Sequence, residues 1–242
     1  EYEGEWEEGK LVISYSIKDG KITLYEKTEL ENKEYNNYQS NIEAHNDIWM
    51  IIKKIIPSEY LSFLTHFEIN TDGKDGELAH VVPTNEEDNS KWIISVDMAD
   101  IIKNNGRLNK KELTDTIVHE FAHLLTLNSN EIDPREPNEY ESTFVTAEGV
   151  TKEESYLNQF YQNFWDEIYD EWLQIQEIED DEEYYAEVDE FYEKYKSSFV
   201  SDYAATNPGE DIAETFRVFI TEEKPAGDTI AEKKVLFLYS FP

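Results

Sequence analysis

Apolar and polar positions fall into recognisable periods along most of this chain. Residues 11–17 and 21–25 alternate or run apolar on either side of Lys18-Asp19-Gly20, a pattern that predicts a β-hairpin. Ile42, Ile48, Trp49, Ile52, Ile55 and Ile56 recur near helical spacing until Pro57 stops them, so a helix is predicted over about 40–56. Residues 63–69, 78–82 and 92–96 read as strands, separated by turns rich in Asp, Gly and Asn. A short helix follows over 96–103, closed by Asn104-Asn105-Gly106.

From there the periodicity is helical. Asn109 stands where a cap belongs, and Leu113, Ile117, Phe121, Leu124 and Leu125 mark one buried face of a helix over 110–127. Residues 128–150 carry two prolines and many Asn, Ser and Glu, and read as a loop. Two long helices are predicted over 152–178 and 181–199, acidic outside and aromatic inside, with the acidic run 179–183 as a solvated corner between them. Pro208 sits where a first helical turn tolerates it, and that helix runs to about residue 221. A last helix covers 229–239. The expected fold class is α+β and the expected organisation is a single domain over 1–242. Residues 1–9 form a frayed start, 10–105 a sheet-rich half with a small mixed or antiparallel sheet, and 106–242 a mainly helical half.

Composition narrows the function. With 39% apolar and 14% aromatic residues the chain has the material for a folded core. Its 55 acidic against 21 basic residues give a formal charge of −34, which repels phosphate backbones and anionic lipid. Nucleic acid is therefore not an expected partner, and a cationic or neutral peptide is favoured by long-range attraction. The same acidity also serves solubility or salt tolerance. The chain has no cysteine, so a zinc site would need His and carboxylate ligands. No apolar run reaches 18 residues, so no membrane span is expected. The acidic start without Met leads to the expectation of an extracellular or cell-surface protein whose signal or lipid-anchor segment has been removed, acting as a monomer.

One segment carries chemistry. His119-Glu120-Phe121-Ala122-His123 is an HExxH motif on the helix predicted over 110–127. Residues i and i+4 share a helical face, so both imidazoles can reach one ion, and Glu120 lies beside them. That pattern suits a Zn2+ ion holding a water, with Glu120 as general base. His45, His66 and His80 read as ordinary packed or surface residues, and Asp115, one turn before His119, as a helix-surface charge. The third ligand is then a carboxylate. Glu131, Glu136, Glu139 and Glu141 offer one from the loop, and Glu210 and Glu214 offer one from a helix, which holds a ligand more rigidly. Residues 92–96 are the expected edge strand for an extended peptide substrate, with 78–82 as competitor.

The segment Tyr203-Ala-Ala-Thr-Asn-Pro-Gly-Glu210-Asp-Ile-Ala-Glu214 resembles the second motif of a gluzincin group. That group includes the peptidase domain of anthrax lethal factor and the secreted proline-proline endopeptidases. The resemblance covers the two motifs and, loosely, the final helix; it does not reach residues 1–95. It implies a zincin-like metallopeptidase fold with the sheet packed on the HExxH helix. It also implies that His119, His123 and Glu210 bind zinc, Glu120 is the base, Tyr203 donates to the oxyanion, and Glu214 supports a ligand His from behind. The activity implied is hydrolysis of internal bonds in a peptide or protein substrate. A catalytically inactive zincin scaffold used for binding at the cell surface is the rival expectation.

Overall fold

The computed structural model describes residues 10–74, 76–85, 87–103, 105–138 and 140–241. The expected frayed start over 1–9 lies outside the described residues, as does Glu139. The residues form two compact units, one up to Leu124 and one from Leu125 onward.

The first unit opens with the predicted hairpin, β1 (Lys10–Lys18) and β2 (Lys21–Lys27), turned at Asp19 and Gly20, both with positive φ. Helices α1 (Lys33–Ser40), α2 (Ile42–Ile55) and α3 (Ser58–Leu61) follow. Strands β3 (Leu64–Thr71), β4 (Ala79–Pro83) and β5 (Trp92–Asp97) complete a five-stranded sheet in the order β2-β1-β3-β5-β4. The pairings are antiparallel except β3 with β5, which is parallel, so the sheet is mixed. Phe67 stacks between Tyr15 and Trp49, at centroid distances of 5.9 and 5.8 Å, which joins the sheet to α2. The short helix α4 (Met98–Ile101) is capped by Asp97.

One expectation is corrected here. Residues 92–96 are not an edge, because β5 has β3 on one side and β4 on the other. Its near-continuous apolar run, Trp92-Ile93-Ile94, is what a strand covered on both faces requires. The edge on that side is β4, which ends in Pro83, a residue a sheet accommodates at its margin.

Helix α5 (Lys110–Leu127) has the bounds the periodicity predicts. Asn109 begins it, with its carbonyl accepting the Leu113 amide at 2.9 Å and its side chain bonded to Glu112.

The second unit is mainly helical. The expected loop over 128–150 is not structureless: β6 (Ile132–Asp133), β7 (Val145–Thr146) and β8 (Gly149–Thr151) form a small sheet in the order β6-β8-β7. Gly149 permits it, since a Cβ there would meet the Asp133 carbonyl at 2.3 Å. The helix expected over 152–178 is two, α6 (Tyr156–Phe164) and α7 (Tyr169–Gln176), because the chain breaks at Trp165. Trp165 is fully buried and its indole N–H is held by Asp211 at 2.7 Å. Helix α8 (Asp181–Tyr195) starts in the acidic run, where the Asp180 side chain accepts the Glu183 amide. Two 3-10 turns, Lys196–Ser198 and Tyr203–Ala205, lead to α9 (Pro208–Thr221) and α10 (Ile230–Leu238). Phe144, Phe160, Trp165, Phe191, Phe199 and Ile212 are central to this unit's core. The α+β class and the division into sheet-rich and helical halves are as expected.

Candidate metal centre

Helical spacing on α5 brings the two motif histidines together. Their Nε2 atoms are 3.0 Å apart, and the rings meet edge to face with centroids 4.8 Å apart. His119 is buried and His123 partly so. Glu120 is buried as well, and its Oε2 accepts the backbone N–H of Val81 at 3.1 Å. Val81 lies on edge strand β4, so the carboxylate is tied to the margin of the sheet.

Glu210 stands in the first turn of α9, whose geometry is set locally. Pro208 occupies the start of the helix, and Asn207 Oδ1 accepts the Glu210 amide at 3.0 Å. The next residue, Asp211, is fully buried and bonded to both Trp165 and Lys234, which anchors that turn in its unit's core. Burial pushes the Asp211 carboxyl up to about 6 against the pull of the Lys234 ammonium, and pushes Lys234 down. Tyr203 heads a 3-10 turn fixed by Asp202 Oδ1, which accepts the Tyr203 amide at 2.9 Å, and its side chain is 53% exposed. Glu214 is buried; it accepts from Ser201 Oγ at 2.9 Å and from the Arg217 guanidinium at 3.0 and 2.9 Å.

Among the described residues two groups have side chains placed to hold a metal ion. The first lies on α5, where His119 and His123 bring two imidazole nitrogens within 3.0 Å of each other. Zinc–nitrogen bonds of about 2.0–2.1 Å put tetrahedral ligands roughly 3.3 Å apart, so the two imidazoles fit that ion in both chemistry and spacing. Two of the loop carboxylates are engaged elsewhere. Glu141 is gripped by Arg135 at 2.5 and 3.0 Å, and this holds its carboxyl down at about 2. Glu131 accepts the Tyr156 amide at 2.9 Å. The other histidines have ordinary partners: His45 bonds Tyr15 and Tyr38, His66 bonds Thr65, and His80 pairs with Glu77 at 2.6 Å. Asp115 pairs with Lys111 at 2.6 Å along α5. The second group is Asp72, Asp97 and Asp100, which the periodicity of the sequence does not mark.

Set against protein-family models, curated proteins and solved structures, the chain finds no match. No helix among the described residues is long and apolar enough to cross a membrane.

Proposed function

We propose that the protein is a zinc-dependent endopeptidase of the gluzincin type, with His119, His123 and Glu210 as ligands. The observation that carries the reading is the pair of motif imidazoles on α5, whose Nε2 atoms lie 3.0 Å apart. A bound Zn2+ supplies Lewis acidity, polarising a carbonyl and lowering the pKa of water. The chain's own residues do the rest. Glu120, adjacent in sequence to His119, takes the proton of the attacking water and passes it to the leaving amine. Tyr203 donates its hydroxyl to the developing oxyanion. Glu214 and Arg217, paired on one face of α9, stiffen the helix that presents Glu210. The formal charge of −34 favours neutral or basic substrates.

Metal analysis of the purified chain, followed by cleavage of a peptide library with and without chelator, tests the proposal. One zinc per chain and chelator-sensitive cleavage are expected. A chain without stoichiometric zinc overturns the reading, and bound zinc without turnover on any peptide replaces it with a binding role.

A further inference from the structure

Glu210, the carboxylate of the proposed zinc set, is partly buried, and its neighbour Asp211 is fully so. Successive residues of a helix point about 100° apart, so Asp211 can face its unit's core while Glu210 faces elsewhere. Three elements of the helical unit converge on Asp211. Trp165, at the break between α6 and α7, donates its indole N–H to Oδ2 at 2.7 Å. Lys234, in α10, donates its ammonium to the same oxygen. Thr215, one turn further along α9, places its hydroxyl 3.4 Å from Oδ1. Asn207 Oδ1 holds the Glu210 amide at 3.0 Å, so the first turn of α9 is fixed both at its cap and from the core.

The Lys234 ammonium has an apolar surround. It lies 4.2 Å from the centroid of the Phe199 ring and within 6.0 Å of those of Phe160, Phe164 and Trp165. Taking two charges out of water is costly, and apolar residues of similar volume often stabilise a core as well or better. Stability alone therefore does not account for the pair. What the pair supplies is one geometry. The carboxylate has a single charged partner to point at, and rotation of the turn would leave both charges buried and unpaired.

We propose that Lys234 and Trp165 are positioning residues for the metal: through Asp211 they fix the turn that presents Glu210, and so raise zinc affinity. This role rests on Glu210 being a zinc ligand, as the proposed function has it. Residues that orient a metal ligand from behind contribute about 10–100-fold in affinity. Charge and geometry predict opposite signs here. Removing the Lys234 cation relieves repulsion of Zn2+ and on its own would tighten binding, whereas loosening the turn weakens it.

The test is titration of Zn2+ into the metal-free full chain against a chelator of known affinity, at a temperature where circular dichroism shows every variant folded. The parent is compared with Lys234→Met, Trp165→Phe and Glu210→Gln, and each of the first two substitutions is also made in the Glu210→Gln chain. Lys234→Met and Trp165→Phe are each expected to weaken zinc binding by about tenfold or more. In the Glu210→Gln chain the same substitutions are expected to change it by less than about twofold, because residues acting through Glu210 then have no ligand to position. Trp165→Phe keeps an aromatic ring in the core and carries the comparison if Lys234→Met does not fold. Equal losses in both backgrounds overturn the role, since the three side chains would then hold the fold and not the ligand. Unchanged or tighter binding in the two variants overturns it as well, while one zinc in the parent leaves the proposed function standing. A parent without stoichiometric zinc overturns the proposed function, and this role with it.

Discussion

Glu120 of α5 accepts a hydrogen bond from the backbone amide of Val81 at 3.1 Å. A carboxylate beside a candidate metal centre is thereby positioned by the edge of a sheet, and the bond depends on its acceptor oxygen, not on its charge. Glu120→Gln keeps an oxygen for Val81 and loses the ability to take a proton. General bases contribute roughly 10²–10⁴ in rate. Under the proposed function the variant is expected to bind zinc as the parent does, melt within a few degrees of it, and lose about a thousandfold in kcat/KM. Metal analysis and peptide kinetics on the same preparation check this; undiminished cleavage would remove Glu120 from the mechanism.

Tyr203 is 53% exposed, so its ring is open to solvent. Its backbone is set by Asp202 and the 3-10 turn. Tyr203→Phe removes one oxygen and is expected to leave stability within about 0.5 kcal/mol. If the hydroxyl stabilises an oxyanion, kcat falls by roughly 10²–10³ with KM and zinc content little changed. A fall in zinc content, or a change in KM alone, would instead place Tyr203 in ligand support or substrate binding.

The two helices carrying the proposed zinc ligands were legible from their local signals. Asn109 and an apolar stripe delimit α5, and Asn207-Pro208 delimits α9. Strand order was not legible, because it depends on tertiary pairing; a run such as Trp92-Ile93-Ile94 announces a buried strand but not its neighbours. Helix α1 escaped detection because only Tyr38 of its eight residues is buried, so it lacks an apolar period. The break at Trp165 also escaped, since neither Gly nor Pro marks it and the partner that holds the buried indole, Asp211, lies 46 residues away. Asp72 and Asp97 are brought together by the parallel register of β3 and β5, which no local pattern records.

Lys234 and Asp211 form an ion pair with both side chains fully buried, and the ammonium lies 4.2 Å from the centroid of the Phe199 ring. Lys234→Met removes the cation, keeps most of the volume and leaves a carboxylate without its counter-charge. Breaking such pairs costs about 3–5 kcal/mol, whereas neutralising both partners is often tolerated. Denaturant unfolding is therefore expected to show a large loss for Lys234→Met and partial recovery in Asp211→Asn/Lys234→Met, where Asn retains an acceptor for Trp165. The expected coupling energy is roughly 1–3 kcal/mol. Additive losses would mean that the two side chains stabilise the helical unit independently.

His45 is fully buried between two fixed partners. Its Nε2 lies 2.8 Å from the Tyr38 carbonyl, which can only accept, so Nε2 carries the proton. Burial disfavours the charged ring, and in the neutral one Nδ1, 2.7 Å from the Tyr15 hydroxyl, is the acceptor. Burial lowers its pKa, the Lys27 charge adds to that, and the Tyr38 carbonyl opposes both. Because the folded value lies below the unfolded one of about 6.5, the stabilisation is fully present above that pH. It is lost as pH falls through the lowered folded value, at no more than about 1.4 kcal/mol per pH unit for one proton. The formal charge of −34 acts in the opposite sense, since protonating carboxylates relieves self-repulsion as pH falls. The informative quantity is therefore the difference between the parent and His45→Gln in denaturant unfolding of the full chain from pH 7.5 to 5. The variant is expected to be less stable at pH 7.5, and the gap is expected to narrow as the solution is acidified. A gap that stays constant across the range would show that the imidazole takes up its proton alike in the folded and unfolded chain, so that burial does not lower its pKa.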